Sequence, residues 1–293
     1  MGELRTRADN RVCAERVRAL DSVRSFDRYL LSDEVLKQMG FLNDVVTGVE
    51  PARPRRILVY GIEGVGKSSF AATAFDSPIF LDVEDGVRDI DCCRIAVKSF
   101  DDALGILREL YSSDEHSYKT VVIDSLDFLE TLVWEGVCNE HGKGSIESFG
   151  YGRGYQFALG RWQQLCAGLD ALRERREMGV VSIAHAKAER CEPPDGDTYD
   201  RWAPRLHKLA SARIVEWCDE VWFASYEAFT KKIDDSRFKE RSIAVGTGRR
   251  ILQTCAKPSH VAKSRLKIPD QVELSRDGVW KYLTQQQEKK NGV

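Results

Sequence analysis

The sequence predicts an α/β fold: a mostly parallel sheet flanked by helices, with an antiparallel β extension at its C-terminal end. Three observations predict it. Apolar runs of strand length alternate with helical stretches from Arg56 onward, as parallel strands joined by helical crossovers do. The first run, Ile57-Leu58-Val59-Tyr60, leads directly into a glycine-rich stretch and then into helix-permissive residues from Ser69 to Ala74. After residue 219 the texture changes to shorter β-rich segments.

Taken in order, residues 1–50 form a separate, Arg-rich N-terminal extension. Arg5, Arg7, Arg11, Arg16, Arg18, Arg24 and Arg28 interleave with Leu and Val at loosely helical spacing, and one or two helices fit up to Gln38, ended by Gly40. Asp and Glu dilute the charge, which favours a plain extension over a basic arm for DNA or a partner. Pro51 and Pro54 punctuate the entry to the core, residues 51–293. Strands are expected at 56–60, 79–83, 93–97, 119–124 and 179–184. Helices are expected at 67–75, 100–111, 125–139 and 156–177, the last carrying an apolar stripe through Trp162, Leu165, Leu169 and Leu172 that reads as core. The C-terminal β segments fall at 219–226, 228–233, 241–246 and 249–255.

Composition excludes several classes. The net charge of −2 over 293 residues argues against a protein that coats polyanions, so any nucleic-acid site must be a local patch. No run approaches the roughly 18 apolar residues of a membrane span, and no signal-peptide core opens the chain. The eight cysteines, among them Cys13, Cys166 and Cys218, include no C-x-x-C pair, which fits reduced thiols in a cytoplasmic protein better than disulfides or zinc.

The chemistry starts at Gly61-Ile62-Glu63-Gly64-Val65-Gly66-Lys67-Ser68-Ser69, which matches the phosphate-binding pattern G-x-x-x-x-G-K-[ST] between a strand and a helix. The glycines let successive amides turn inward toward phosphate oxygens, and the helix N-terminus adds its positive end. Lys67 is expected at the β- and γ-phosphates, and the Ser68 hydroxyl on Mg²⁺. The strand Lys119-Thr120-Val121-Val122-Ile123-Asp124 ends in the carboxylate expected to support that metal, against the blander reading of Asp124 as a helix cap. The next residue is Ser125, where many such ATPases carry a catalytic Glu, so the base must come from elsewhere. Ile79-Phe80-Leu81-Asp82-Val83-Glu84-Asp85-Gly86 puts Asp82 and Glu84 on one face at a strand's carboxyl end.

F-L-D-V-E-D-G downstream of this loop resembles the RecA/RadA recombinase core, and more narrowly the phage-type RecA-core ATP-binding proteins. The matching stretches also include K-T-V-V-I-D-S-L-D, Y-G-R-G-Y, A-H-A-K and A-K-S-R-L-K-I-P, and they span Arg55 to about Asp270. The resemblance implies a P-loop NTPase with a RecA-like sheet that hydrolyses ATP with Mg²⁺. It implies Glu84 as the carboxylate that activates water, though D-V-E-D-G is also good turn chemistry. It implies His185, where the family commonly has an amide, as a γ-phosphate sensor whose protonation matters. Lys263-Ser264-Arg265 resembles the K-x-R element that reaches a neighbouring subunit's site, against a solvated basic edge. The loop after His185 (Lys187, Arg190, Tyr199, Arg201, Trp202) and that from His141 to Tyr155 mix cations with aromatics, as single-strand binders do; a mobile lid or a subunit contact fits equally. The expected function is an ATPase acting on single-stranded DNA in recombination or replication, assembled as a homo-oligomer. The rivals are a P-loop kinase of a small acceptor and a nucleotide-gated binding protein with little turnover.

Overall fold

Alternation of apolar residues builds the centre of the sheet. The computed structural model describes residues 53–233 and 241–291, so the expected N-terminal helices lie outside the described residues. Its strands are β1 (Arg56–Gly61), β2 (Pro78–Asp82), β3 (Cys93–Ala96), β4 (Thr120–Asp124), β5 (Gly179–Cys191), β6 (Tyr199–Pro204), β7 (Glu220–Ile233), β8 (Arg241–Gln253) and β9 (Gln271–Glu273). The helices are α1 (Lys67–Ala74), α2 (Phe100–Ser112), α3 (Leu126–Glu140), α4 (Arg153–Arg175), α5 (Lys208–Trp217) and α6 (Arg276–Asn291). The strands join in the order β3-β2-β4-β5-β1-β7-β8-β9, with β6 paired to β5. The pairings from β3 to β7 are parallel, and those of β7 with β8, β8 with β9 and β5 with β6 are antiparallel. This is the mostly parallel sheet flanked by helices that the sequence predicts, antiparallel extension included.

Period-two burial sends Leu58 and Tyr60 to one face, with Ile79, Leu81, Val121 and Ile123. There they pack under α2, α3, α4 and α5 through residues such as Phe100, Leu129, Trp162, Leu165 and Ile214. Ile57 and Val59 go to the other face with Phe80, Val122, Val181 and Trp222, covered by α1 (Phe70, Ala71, Ala74) and Val279 of α6. Each fully buried apolar side chain stabilises the fold by about 1.5–3 kcal/mol. Both faces covered and the strands parallel, the sheet leaves its carboxyl ends as the open edge, where ligands bind in such folds.

Two expectations change. The loop after His185 is a β-hairpin: β5 runs on to Cys191 and pairs with β6, from Ala186 opposite Pro204 to Cys191 opposite Tyr199. Its residues lack apolar alternation because the ribbon extends beyond the core. The shorter C-terminal segments are two long strands, β7 and β8, with a register irregularity between Tyr226 and Ala228.

Candidate active site

The glycine-rich loop hangs on the end of β1, between β5 and β7. Gly61 is required there: a β-carbon would collide with the backbone carbonyl of Ala224 on β7. Gly66 caps α1 with φ 95°, a left-handed conformation that glycine adopts without strain. Lys67 is buried, and its ammonium donates to the carbonyl oxygens of Gly61 (3.2 Å) and Ile62 (3.0 Å). Burial lowers its pKa, partly offset by the carboxylates of Asp124, Asp127, Glu84 and Glu63.

Those carboxylates come from different elements. Asp124 ends β4, two strands from β1, and is 4% exposed. Its carboxyl is pushed up to about 6, chiefly by burial and also by Glu84 and Asp82, while a hydrogen bond with Ser68 and the charge of Lys67 pull the other way. One of its oxygens, Oδ2, is buried with no hydrogen-bond partner. Such an atom is costly unless a cation or donor completes it. Beside a serine hydroxyl, this donor set fits a hard, oxygen-seeking divalent ion.

Glu84 stands in the bend after β2, and its Oε2 accepts the Ser125 hydroxyl at 3.1 Å. Asp82, by contrast, turns its carboxylate to the Gly86 amide at 3.3 Å and closes that bend. Thus Lys67, Ser68, Asp124 and Glu84 converge beside one loop.

His185 lies opposite Gly61 in the β1–β5 register. Its ring Nδ1 and backbone N–H both reach Asp127, each at 3.0 Å. Arg205 completes the cluster: Nη2 meets Asp127 at 2.6 Å and lies 3.1 Å from the His185 ring, while Nη1 meets Glu63 of the loop at 3.3 Å. Burial alone would raise the Asp127 carboxyl, but the hydrogen bonds from His185 and Arg205 outweigh it and hold it well below its ordinary value. Asp127 and Arg205 were not singled out as site residues from sequence. Asp127 follows Asp124 by three residues in D-S-L-D, which was the available signal; Arg205 had none.

Lys263 and Arg265 sit elsewhere. Lys263 pairs with Val221, near the start of β7 and thus near the end of β1 remote from the loop. Its ammonium donates to the carbonyls of Val215 and Glu216, in the last turn of α5, at 2.9 and 3.0 Å. Arg265 meets buried Asp219 at 2.8 Å, where Arg56 also binds at 2.9 Å. Neither touches the chain's own loop.

No helix among the described residues is long and apolar enough to cross a membrane, and their cysteines are free. No curated protein matches this chain. Among solved structures it is similar to a crystal structure of the RadB recombinase, with 11% identity, a TM-score of 0.39, and coverage of 78% of this chain and 90% of that one. A strand–loop–helix phosphate motif, a buried acidic strand end and a parallel sheet thus stand together. The family model described as an AAA domain matches residues 53–266, and the chain belongs to that family.

Proposed function

We propose that this chain is a Mg²⁺-dependent ATPase of the phage-type RecA-core kind, with residues 51–293 as its motor and 1–50 as an appended segment. One observation carries the reading: a buried carboxylate, Asp124, keeps an unpartnered oxygen next to Ser68 and Lys67, with Glu84 close by. The loop from Gly61 to Ser69 would cradle the triphosphate, Lys67 would neutralise its charge, and Ser68 and Asp124 would hold Mg²⁺. A bound Mg²⁺ would withdraw charge from the phosphoryl oxygens. Glu84 would orient and deprotonate the attacking water. His185, fixed by Asp127, would report the state of the loop through Arg205 and Glu63.

The same reading has the protein act on single-stranded DNA in the cytoplasm as a homo-oligomer. Exposed aromatics support the DNA part: Trp202 on the β5–β6 hairpin is 40% exposed, and Tyr151 is fully so. The hairpin's charges give less support, because Arg201 is paired with Glu189 and Arg190 with Glu192. In an oligomer, Lys263 and Arg265 would have to leave their present partners to reach a neighbour.

The test is phosphate release from ATP, with and without Mg²⁺ and a single-stranded oligonucleotide at low salt. Mg²⁺-dependent release without any added acceptor supports hydrolysis over a kinase. Release that an oligonucleotide leaves unchanged removes the DNA claim.

A further inference from the structure

The β7–β8 ribbon leans on the loop from the side opposite Asp124, because β1 separates β7 from β5 and β4. Tyr226 and Arg250 are register partners, so their side chains leave the ribbon on the same face. That face meets the loop twice. The Tyr226 hydroxyl donates to the Gly64 carbonyl at 3.2 Å. Arg250 Nη1 lies 2.6 Å from the point a β-carbon on Gly66 would take. Gly66 is the residue whose amide opens the helix N-terminus, where an anion is held.

Arg250 also differs from several other arginines in having no ion-pair or hydrogen-bond partner among the described residues. Arg249 meets Glu227, Arg205 meets Asp127, and Arg265 meets Asp219. An exposed guanidinium held over an anion-binding loop, with no acid beside it, is matched to a ligand anion. Its planar fork suits two phosphate oxygens.

We propose that Arg250 is a phosphate-binding residue of its own chain's site. It grips the nucleotide from the flank away from the metal, on the α- and β-phosphates, and Tyr226 positions it by anchoring the ribbon to Gly64. The proposal deepens the nucleotide reading above and rests on it. Because these phosphates belong equally to ADP and ATP, Arg250 serves binding rather than the chemical step. No neighbouring subunit is needed for it.

Nucleotide-induced stabilisation separates the possibilities, with ADP plus Mg²⁺ as the probe and wild type, Arg250→Ala, Arg250→Lys and Tyr226→Phe compared. Without nucleotide, Arg250→Ala should melt with wild type, since it breaks no internal bond. With ADP its affinity should fall about tenfold or more, the loss of a charge-assisted contact. Arg250→Lys should recover part of this, and Tyr226→Phe should lose less than Arg250→Ala. In turnover, KM should rise by a similar factor, with kcat within about threefold of wild type. An unchanged ADP affinity in Arg250→Ala would overturn the proposal, as would a fall confined to kcat. If wild type itself gains no stability from any nucleotide, the nucleotide reading fails instead.

Discussion

Ser125 donates its hydroxyl to Glu84 across 3.1 Å, tying the end of β4 to the bend after β2. In the proposed mechanism Glu84 is the base, and Ser125, which follows Asp124 directly, is the group that orients it. Glu84→Gln keeps the shape and the Ser125 contact but cannot accept a proton. We expect hydrolysis to fall at least 100-fold while ATP binding stays within a few-fold, checked by phosphate release and equilibrium titration. Ser125→Ala, which frees Glu84 to rotate, should cost roughly tenfold in kcat.

Asp124 gives a signed pH dependence. Its carboxyl titrates at about 6 in the folded chain against 3.8 ordinarily. The folded state therefore holds a proton that the unfolded chain has lost between those values. This favours folding below pH 3.8, and the advantage is lost as pH rises through 6. Asp124→Asn should match wild type in stability near pH 4 and exceed it by about 1–3 kcal/mol at pH 7.5 without metal, measured by urea unfolding. The same variant should lose Mg²⁺-dependent nucleotide binding, which in wild type should strengthen as pH rises through 6.

Arg205 faces the opposite sign. Asp127 is held below its ordinary pKa by His185 and Arg205 despite burial, so its contribution is present above about pH 4 and fades as pH falls. Arg205→Ala leaves a buried carboxylate short of a donor and should cost about 1–3 kcal/mol at pH 7, shrinking in acid. Because Arg205 also meets Glu63, turnover should drop beyond what the stability loss explains, as measured at a temperature where the variant stays folded.

Lys263 and Arg265 can be sorted between two roles. As parts of an internal clasp, they should cost stability when removed: about 0.5–1 kcal/mol for Arg265→Ala, whose partner Asp219 keeps Arg56. If either instead completes a neighbour's site, the variant should unfold like wild type yet fail to hydrolyse. It should regain activity when mixed with Glu84→Gln, because each protein then supplies what the other lacks.

The fold was largely legible because its signals are local. Leu58 and Tyr60 alternate with Ile57 and Val59, and β2, β4 and the first half of β5 show similar buried runs, whereas the edge strand β3 is exposed. Helix α5 is hard to read because Lys208 to Trp217 is only ten residues long, so its buried stripe of Ala210, Ile214 and Trp217 spans barely two turns. The extended β5 is likewise hard to read because its outer half is held by pairing with β6 and not by core burial. At the site, Gly61 to Ser69 is contiguous and was readable as a phosphate loop. Arg205, Tyr226 and Arg250 lie more than 130 residues away in the chain, and only the assembled sheet brings them to it.

Lys67 leaves one practical consequence. Its ammonium bonds to Gly61 and Ile62, so the same side chain that would attract the triphosphate also staples the two limbs of its own loop together. An alanine there removes a positive charge and the brace that shapes the cradle at one stroke. Failure of such a variant would leave open whether electrostatics or architecture had been lost. Cleaner attribution comes from substitutions that spare the staple, at Ser68, Asp124 or Glu84.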